Sequence, residues 1–245
     1  MTMGRMGSIA MLAAAAVAGA GGAIVAQRMA VDRTATETVV RDYILANPEI
    51  LPEAMRRLQA KEAGKAVAAN RAAIVDPFPG AIAGNPDGDV SVVAYLDYAC
   101  GFCRASLPAI TGLIASDPNV RIVYRELPIL SQDSRTAAEW ALAAALQGKF
   151  KPFHDALYAA GRVDDAAIEA AARTAGLDMD AARAAIASPR IAGEIERNMK
   201  TAGVLGFSGT PSWVVGDQVL GGAQTLPTLQ AAVAEARKAK AAPAA

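Results

Sequence analysis

The only two cysteines of the sequence, Cys100 and Cys103, are separated by two residues, where an apolar run ends and a helical pattern begins. Neither thiol has another cysteine with which to form a cross-link. A closed zinc site needs about four ligands, and the only histidine is His154. A purely structural bridge across so short a loop would stabilise the fold by only about 2 kcal/mol. The pair therefore predicts thiol-disulfide exchange.

The position of the pair suggests a different role for each sulfur. If a helix begins at Cys100, its sulfur faces unpaired backbone N–H groups and the positive end of the helix dipole, which favour a thiolate. Gly101 and Phe102, between the cysteines, add no side-chain charge or hydrogen-bond donor, so we expect only moderate stabilisation of the thiolate. Cys100 is then the nucleophile, and Cys103, one turn inward, resolves the mixed disulfide.

The residues around the pair have alternative interpretations. Phe102 either contacts a client protein or is an ordinary exposed aromatic residue. Asp97 either orients the loop before Cys100 or simply caps it, and capping is the simpler interpretation. Asp97 and Gly101 are the residues expected to tune the pair. His154 is expected to pack between helices rather than to take part in catalysis.

An α/β unit is predicted to position the cysteines. Residues 90–96 are typical of a buried strand, the apolar residues that follow recur at helical spacing, and residues 120–124 form a second strand, which makes a βαβ unit. From residue 135 to about 202 the pattern is helical, with breaks at Gly148, Gly161, Gly176 and Ser188-Pro189. Two short strands joined by Gly216-Asp217 then predict a hairpin, and a last helix follows.

The N-terminal region contains signals for export and for interaction. Residues 8–26 are uncharged and mostly apolar, which indicates an export signal or, as the competing interpretation, an uncleaved membrane anchor. Either places the remainder where disulfides persist. Residues 34–63 predict two amphipathic helices, whose apolar stripe packs on the main domain or on another subunit. Residues 76–89 are rich in turn residues and predict a linker.

Composition narrows the range of functions. The chain has 245 residues, of which 53% are hydrophobic, so it is long enough to bury a full core. Its formal net charge is zero. Because no basic field is present, nucleic acid is excluded as an expected partner.

Four segments in order resemble motifs of the DsbA-like family of thioredoxin-fold thiol-disulfide oxidoreductases. They are Gly84-Asn85-Pro86-Asp87-Gly88-Asp89, Asp97-Tyr98-Ala99-Cys100-Gly101-Phe102-Cys103, Tyr124-Arg125-Glu126-Leu127-Pro128-Ile129-Leu130 and Gly209-Thr210-Pro211. The resemblance covers most of the chain after the signal. Exported members with an N-terminal helical extension, the ScsC-like proteins, are the most similar.

The resemblance implies an α/β thioredoxin fold with a helical insertion at about 131–205, preceded by an N-terminal helical segment. It also implies a cis peptide between Thr210 and Pro211, in a loop that binds the client polypeptide opposite the cysteines. The predicted domains are a signal peptide or membrane anchor (1–30), a helical segment with possible oligomerisation (31–75), a linker (76–89) and a DsbA-like domain (90–242).

The resemblance further implies exchange of disulfides with exported, cysteine-containing client proteins in the periplasm. The alternative location for this protein is the inner membrane, where residues 8–26 would anchor it so that it faces the periplasm. A membrane redox partner would reset the cysteines, residues 34–63 would form a homo-oligomer, and no cofactor beyond the redox-active pair Cys100–Cys103 and no metal is expected.

Two alternatives to the main interpretation stay open. Strongly oxidising members have a histidine between the cysteines, where this chain has Gly101-Phe102. We therefore favour an isomerase or reductase over a dedicated oxidase. The alternative from another class is a copper(I)-binding or chaperone module, since thiolates are soft ligands.

Overall fold

The structure, a computed structural model, describes residues 33–241. The chain divides into two compact units between Arg57 and Leu58. Among the described helices, none has the length and apolar character needed to span a membrane. The predicted signal or anchor, within residues 1–30, lies outside the described residues.

Two helices open the described chain. Helix α1 covers Arg33–Ala46 and helix α2 covers Ile50–Ala69. They are separated at Asn47, whose side-chain amide donates to the main-chain oxygen of Tyr43 at 2.8 Å and so satisfies a carbonyl near the end of α1. Both helices carry exposed apolar side chains, namely Val39, Val40, Tyr43, Leu45, Leu51, Met55 and Leu58. Exposed apolar residues grouped in this way are typical of an interaction surface.

A five-stranded sheet, counted over the described residues, forms the centre of the second unit. Its strands are β1 (Ile82–Gly84), β2 (Val90–Leu96), β3 (Val120–Glu126), β4 (Ser212–Val215) and β5 (Gln218–Gly221). Their order is β1-β3-β2-β4-β5, and β2 and β3 run parallel while the other pairs are antiparallel. Helix α4 (Gly101–Ser116) connects β2 to β3, which confirms the predicted βαβ unit.

The helical insertion lies between β3 and β4, and its presence confirms the fold expected from the sequence. Within the described residues it comprises α5 (Gln132–Leu146), α6 (Phe150–Ala160), α7 (Asp165–Thr174), α8 (Met179–Ile186) and α9 (Pro189–Val204). Gly161 ends α6 with a φ of 74°, a left-handed conformation that favours glycine. Helix α10 (Leu226–Ala241) follows the hairpin.

Hydrophobic cores lie on both faces of the sheet, because side chains alternate along each strand. On β2, Val92 and Ala94 belong to the core that contains both cysteines. Val93 and Tyr95 belong to the opposite core. The short helix α3 (Arg71–Val75) contributes Ile74 to that second core. Strand β2 is therefore covered on both sides, which explains its continuous apolar sequence.

The structure differs from the sequence-based expectation in the range predicted as a linker, 76–89. Within it, β1 pairs antiparallel with β3, and Phe78 and Ala81 are buried in the core. A three-residue strand between turn residues carries too little pattern to be recognised, and the neighbouring strand supplies the pairing. Strand β3 also extends to Glu126, beyond the predicted end at residue 124.

Candidate active site

Cys100 is the N-cap residue of helix α4. Its backbone N–H donates to the main-chain oxygen of Asp97 at 3.1 Å, and its own carbonyl accepts from the Arg104 N–H at 3.2 Å. Only 6% of Cys100 is exposed, and Cys103 is completely buried. Both are free thiols. Cys100 is therefore the more exposed of the two sulfurs, and Cys103 lies one turn further into the helix.

The loop before β4 lies against Cys100. The Cys100 thiol donates to the main-chain oxygen of Thr210 at 3.2 Å, and the peptide bond between Thr210 and Pro211 is cis. Strand β4 begins directly afterwards with Ser212, which pairs with Tyr95 of β2. The antiparallel pairing of β2 with β4 thus brings together residues that are distant in the sequence.

Asp97 is buried, with 1% exposed, and its carboxylate accepts three backbone hydrogen bonds. Oδ1 accepts from Ala99 N at 2.8 Å, which is the capping role expected of this residue. Oδ2 accepts from Ile129 N at 2.9 Å and from Leu130 N at 3.1 Å. The last two bonds tie the cysteine loop to the loop that follows β3, a connection that the local sequence does not reveal.

The residues between the cysteines face solvent. Phe102 is 70% exposed, and a Cβ added at Gly101 would meet no atom within 4 Å. Both residues therefore lie on the surface of the first turn of α4, and Phe102 is an exposed apolar side chain next to Cys100 in the sequence.

Burial changes the ionisation of the groups around the pair. Burial raises the pKa of the Cys103 thiol well above its usual value. Burial, together with the nearby charge of Asp97, also raises the pKa of the Glu126 carboxyl well above its usual range. The Tyr98 hydroxyl donates to Glu126 Oε1 at 3.4 Å. The buried carboxyl of Glu126 at the end of β3 is therefore harder to ionise than a free carboxyl.

His154 lies in α6 and is 1% exposed, in agreement with the packing role expected of it. Its Nδ1 is 3.1 Å from the Tyr98 hydroxyl, and burial lowers the pKa of its imidazole to about 3. Aromatic rings surround it, contributed by Tyr98, Tyr124, Phe150 and Tyr158. The imidazole is therefore neutral at ordinary pH.

Sequence reasoning assigned no role to Glu126, Tyr98 or Tyr158. The Tyr158 hydroxyl donates to the main-chain oxygen of Asp97 at 3.1 Å, so α6 of the insertion contacts the cysteine loop directly. Tyr98 and Glu126 lie within two of the four motif segments, and that position was the sequence feature that could have pointed to them. Tyr158 has no such signal. Over residues 33–241, no group of three or more His, Cys, Asp or Glu side chains is arranged to hold a metal ion.

The sheet, the cysteine pair and the loop with the cis peptide define a thioredoxin-like domain. The sequence matches the DSBA-like thioredoxin domain family over residues 91–234 and the Copper resistance protein ScsC N-terminal domain over residues 32–65. The chain belongs to the DSBA-like thioredoxin domain family.

Similar solved structures include several oxidoreductases. A thioredoxin-like oxidoreductase from Silicibacter pomeroyi DSS-3 is 43% identical, with a TM-score of 0.66 over 69% of this chain and 98% of that chain. The thiol-disulfide exchange protein alpha-DsbA2 from Wolbachia pipientis is 28% identical, with a TM-score of 0.67 over 73% and 97%. Proteus mirabilis ScsC in a transitional conformation is 26% identical, with a TM-score of 0.65 over 86% and 97%.

The matched curated relatives are longer proteins. Na(+)/H(+) antiporter NhaA 3 from Salinispora tropica is 34% identical over 165 residues, which is 66% of this chain and 25% of that protein. The chain thus spans about a quarter of the length of the curated relatives it matches.

Proposed function

We propose that this protein is an exported thiol-disulfide oxidoreductase that exchanges disulfides with cysteine-containing client proteins. The observation that carries the proposal is the position of the Cys100 thiol, between the first turn of α4 and the main-chain oxygen of Thr210 at 3.2 Å. Disulfide exchange needs a sulfur that can attack a disulfide next to a main-chain acceptor for the client, and this position provides both. The similarity to the exchange protein of Wolbachia pipientis supports the same chemistry.

Two exchange steps complete the reaction. In the first, the Cys100 thiolate attacks a client disulfide, so that a mixed disulfide forms and one client sulfur leaves as a thiolate. In the second, Cys103 loses its proton and attacks the Cys100 sulfur, which releases the second client thiolate. The client gains two electrons, and the Cys100–Cys103 disulfide forms. Because Cys103 is buried and its pKa is raised, it reacts as a resolving thiol rather than as the first nucleophile.

The loop around Thr210 and Pro211 is the proposed site for the client backbone. The Thr210 oxygen that accepts the Cys100 thiol is a main-chain acceptor at the start of β4. An extended client segment pairs with such a loop by strand addition. Phe102, which is 70% exposed, supplies an apolar contact beside the same thiol. Asp97 and Gly101 are proposed to tune the pair.

Within this class we favour an isomerase or reductase over a dedicated oxidase. Gly101 and Phe102 place no charge or donor beside Cys100, so the reduced form is stabilised less than in a strong oxidant. We also propose self-association through residues 34–63. Their exposed apolar side chains and the ScsC N-terminal match over residues 32–65 support that part of the proposal.

We place the protein in the periplasm after export, or anchored in the inner membrane by residues 8–26 and facing the periplasm. A membrane redox partner is proposed to reset the cysteines. The antiporter relatives, which contain a similar region within a much longer protein, support a location close to a membrane.

The test is thiol-dependent reduction of insulin by the purified chain. We expect Cys100→Ser to abolish turnover, and Cys103→Ser to accumulate a mixed disulfide that mass spectrometry detects. Full activity of Cys100→Ser would contradict the proposal. Tight stoichiometric copper(I) binding without any exchange activity would instead favour the metal-binding alternative.

A further inference from the structure

Asp97 connects two loops at the mouth of the site. Its main-chain oxygen accepts from Cys100 N at 3.1 Å, and its carboxylate accepts from Ile129 N at 2.9 Å and from Leu130 N at 3.1 Å. One buried residue therefore fixes the distance between the nucleophile and the loop after β3.

The loop after β3, residues 127–131, is held at both ends. Leu127 N donates to Leu96 O at 2.8 Å. At the other end, Ser131 is the N-cap of α5, and its hydroxyl accepts from Ser134 N at 3.0 Å. With Asp97 bonded to its centre, the loop has few conformations open to it.

The same loop, bonded to the cysteine loop through Asp97, presents apolar side chains to solvent. Ile129 is 39% exposed and Leu130 is 55% exposed. Burying a carboxylate without a cation is unfavourable unless backbone donors satisfy it. In the described part of the chain Asp97 takes part in no ion pair, and its carboxylate uses backbone donors instead. Leu127 is buried in the second core, so the arrangement stabilises a loop in which Ile129 and Leu130 remain exposed.

We propose that Asp97 is a positioning residue that fixes Ile129 and Leu130 as an apolar wall of the client site. The wall selects client segments with an apolar side chain next to the reacting cysteine. This inference rests on the proposed exchange function and adds the class of client segment that the site prefers. Phe102, on the first turn of α4, contributes apolar surface beside the same thiol.

The first experiment compares two disulfide-linked peptides that differ only in having leucine or serine next to the cysteine. We expect the purified chain to reduce the leucine peptide with a kcat/KM about tenfold higher, the discrimination that one apolar contact provides. The double variant Ile129→Ser/Leu130→Ser should remove this preference through KM, with kcat retained, because the backbone donors to Asp97 remain. Met199→Ser removes a 42% exposed apolar side chain from α9 and is the matched control that should keep the preference.

The second experiment tests the positioning role directly. Asp97→Asn removes the negative charge and one acceptor, so the preference for leucine should fall as in the double variant. In addition, hydrogen exchange at the Ile129 and Leu130 amides should become at least about tenfold faster. If Asp97→Asn does not fold, the double variant still decides whether the wall exists.

The outcomes separate this inference from the function on which it rests. Equal rates for the two peptides in the unmodified chain would overturn the apolar wall while leaving disulfide exchange intact. An unchanged preference with slow amide exchange in Asp97→Asn would overturn the role of Asp97. Failure to reduce either peptide would overturn the proposed function itself.

Discussion

Arg125 and Glu194 form an ion pair, with 2.6 Å between Nη1 and Oε1, in which the side chains are only 1% and 2% exposed. The Arg125 guanidinium also donates from Nε to the Ile74 main-chain oxygen at 3.1 Å and from Nη1 to Asn198 Oδ1 at 3.3 Å. One buried cation thus connects β3 to α9 and to α3. The pair lies on the opposite face of the sheet from the cysteines, because Arg125 alternates with Tyr124 of the cysteine-containing core.

Removing the cation of this pair should strongly destabilise the fold. Arg125→Met leaves Glu194 buried beside Arg197 alone, so the free energy of unfolding should fall by about 3–5 kcal/mol. The control is Arg173→Met, which breaks an exposed ion pair with Glu169 at 3.4 Å. This change should lower the free energy of unfolding by about 1 kcal/mol or less. Urea denaturation measures both. Similar values for the two variants would contradict the importance of burial.

The buried acid Glu126 should make stability fall as pH rises. Its pKa is raised in the folded state, so above the ordinary value of 4.5 the unfolded state releases a proton that the folded state retains. The folded state is therefore favoured at low pH, and the advantage disappears toward the folded pKa. Glu126→Gln should gain stability relative to the unmodified chain by up to about 1.4 kcal/mol per pH unit in that range. If the difference in unfolding free energy between Glu126→Gln and the unmodified chain stays constant across pH, the raised pKa of Glu126 is contradicted.

His154 should have the opposite effect. Burial lowers its pKa from 6.5 to about 3, so between these values the unfolded state binds a proton that the folded state does not. Stability is therefore lost as pH falls below 6.5. His154→Phe keeps an aromatic ring among the neighbouring rings and should flatten this dependence. Urea midpoints measured over this range test it, and an unchanged slope would contradict a neutral buried imidazole.

Phe102 should control the redox potential. In Phe102→His a ring N–H or cation beside Cys100 stabilises the thiolate and thus the reduced form, so the potential should rise by about 30 mV or more. Phe102→Leu adds no charge or donor and should leave the potential unchanged. Redox titration against glutathione measures both. We expect the reduction potential of the unmodified chain to be lower than about −120 mV, the value of a strong oxidant. A measured potential that high would favour the oxidase alternative.

The exposed apolar side chains of α1 and α2 should support self-association. Tyr43 is 60% exposed and Met55 is 56% exposed, and the double change to Asp places charges on that surface. Sedimentation should show an oligomer for the unmodified chain and a smaller species for the variant. Gln59→Asp, at an exposed polar position of α2, is the control and should stay associated. A monomer in every case would exclude this part of the proposal.

Sequence patterns could predict the elements that depend on local signals. Cys100 and Cys103 stand at a strand-to-helix transition that apolar periodicity makes visible. The breaks in the insertion were also predictable, because Gly161 and Pro189 have backbone preferences that act locally. The hairpin around Gly216-Asp217 was found for the same reason. These features need no knowledge of distant partners.

The interior polar groups could not be predicted in this way. Charged residues such as Arg125 and Glu126 are rarely buried without a partner, and the apolar pattern of residues 120–124 does not extend to them. The partner of Arg125 is Glu194, on a helix of the insertion. Likewise, the bonds from Asp97 to the loop at Ile129 depend on the parallel alignment of β2 and β3. Such contacts are visible only once the fold is known.

The insertion leaves the sheet after β3 and returns before β4, and both connections lie at the edge where β2 ends. Its helices can therefore be lengthened, shortened or exchanged during evolution while the ladder of strands is conserved. A change in α6, which contacts the cysteine loop through Tyr158, would alter the surroundings of Cys100 without moving the strands that carry it.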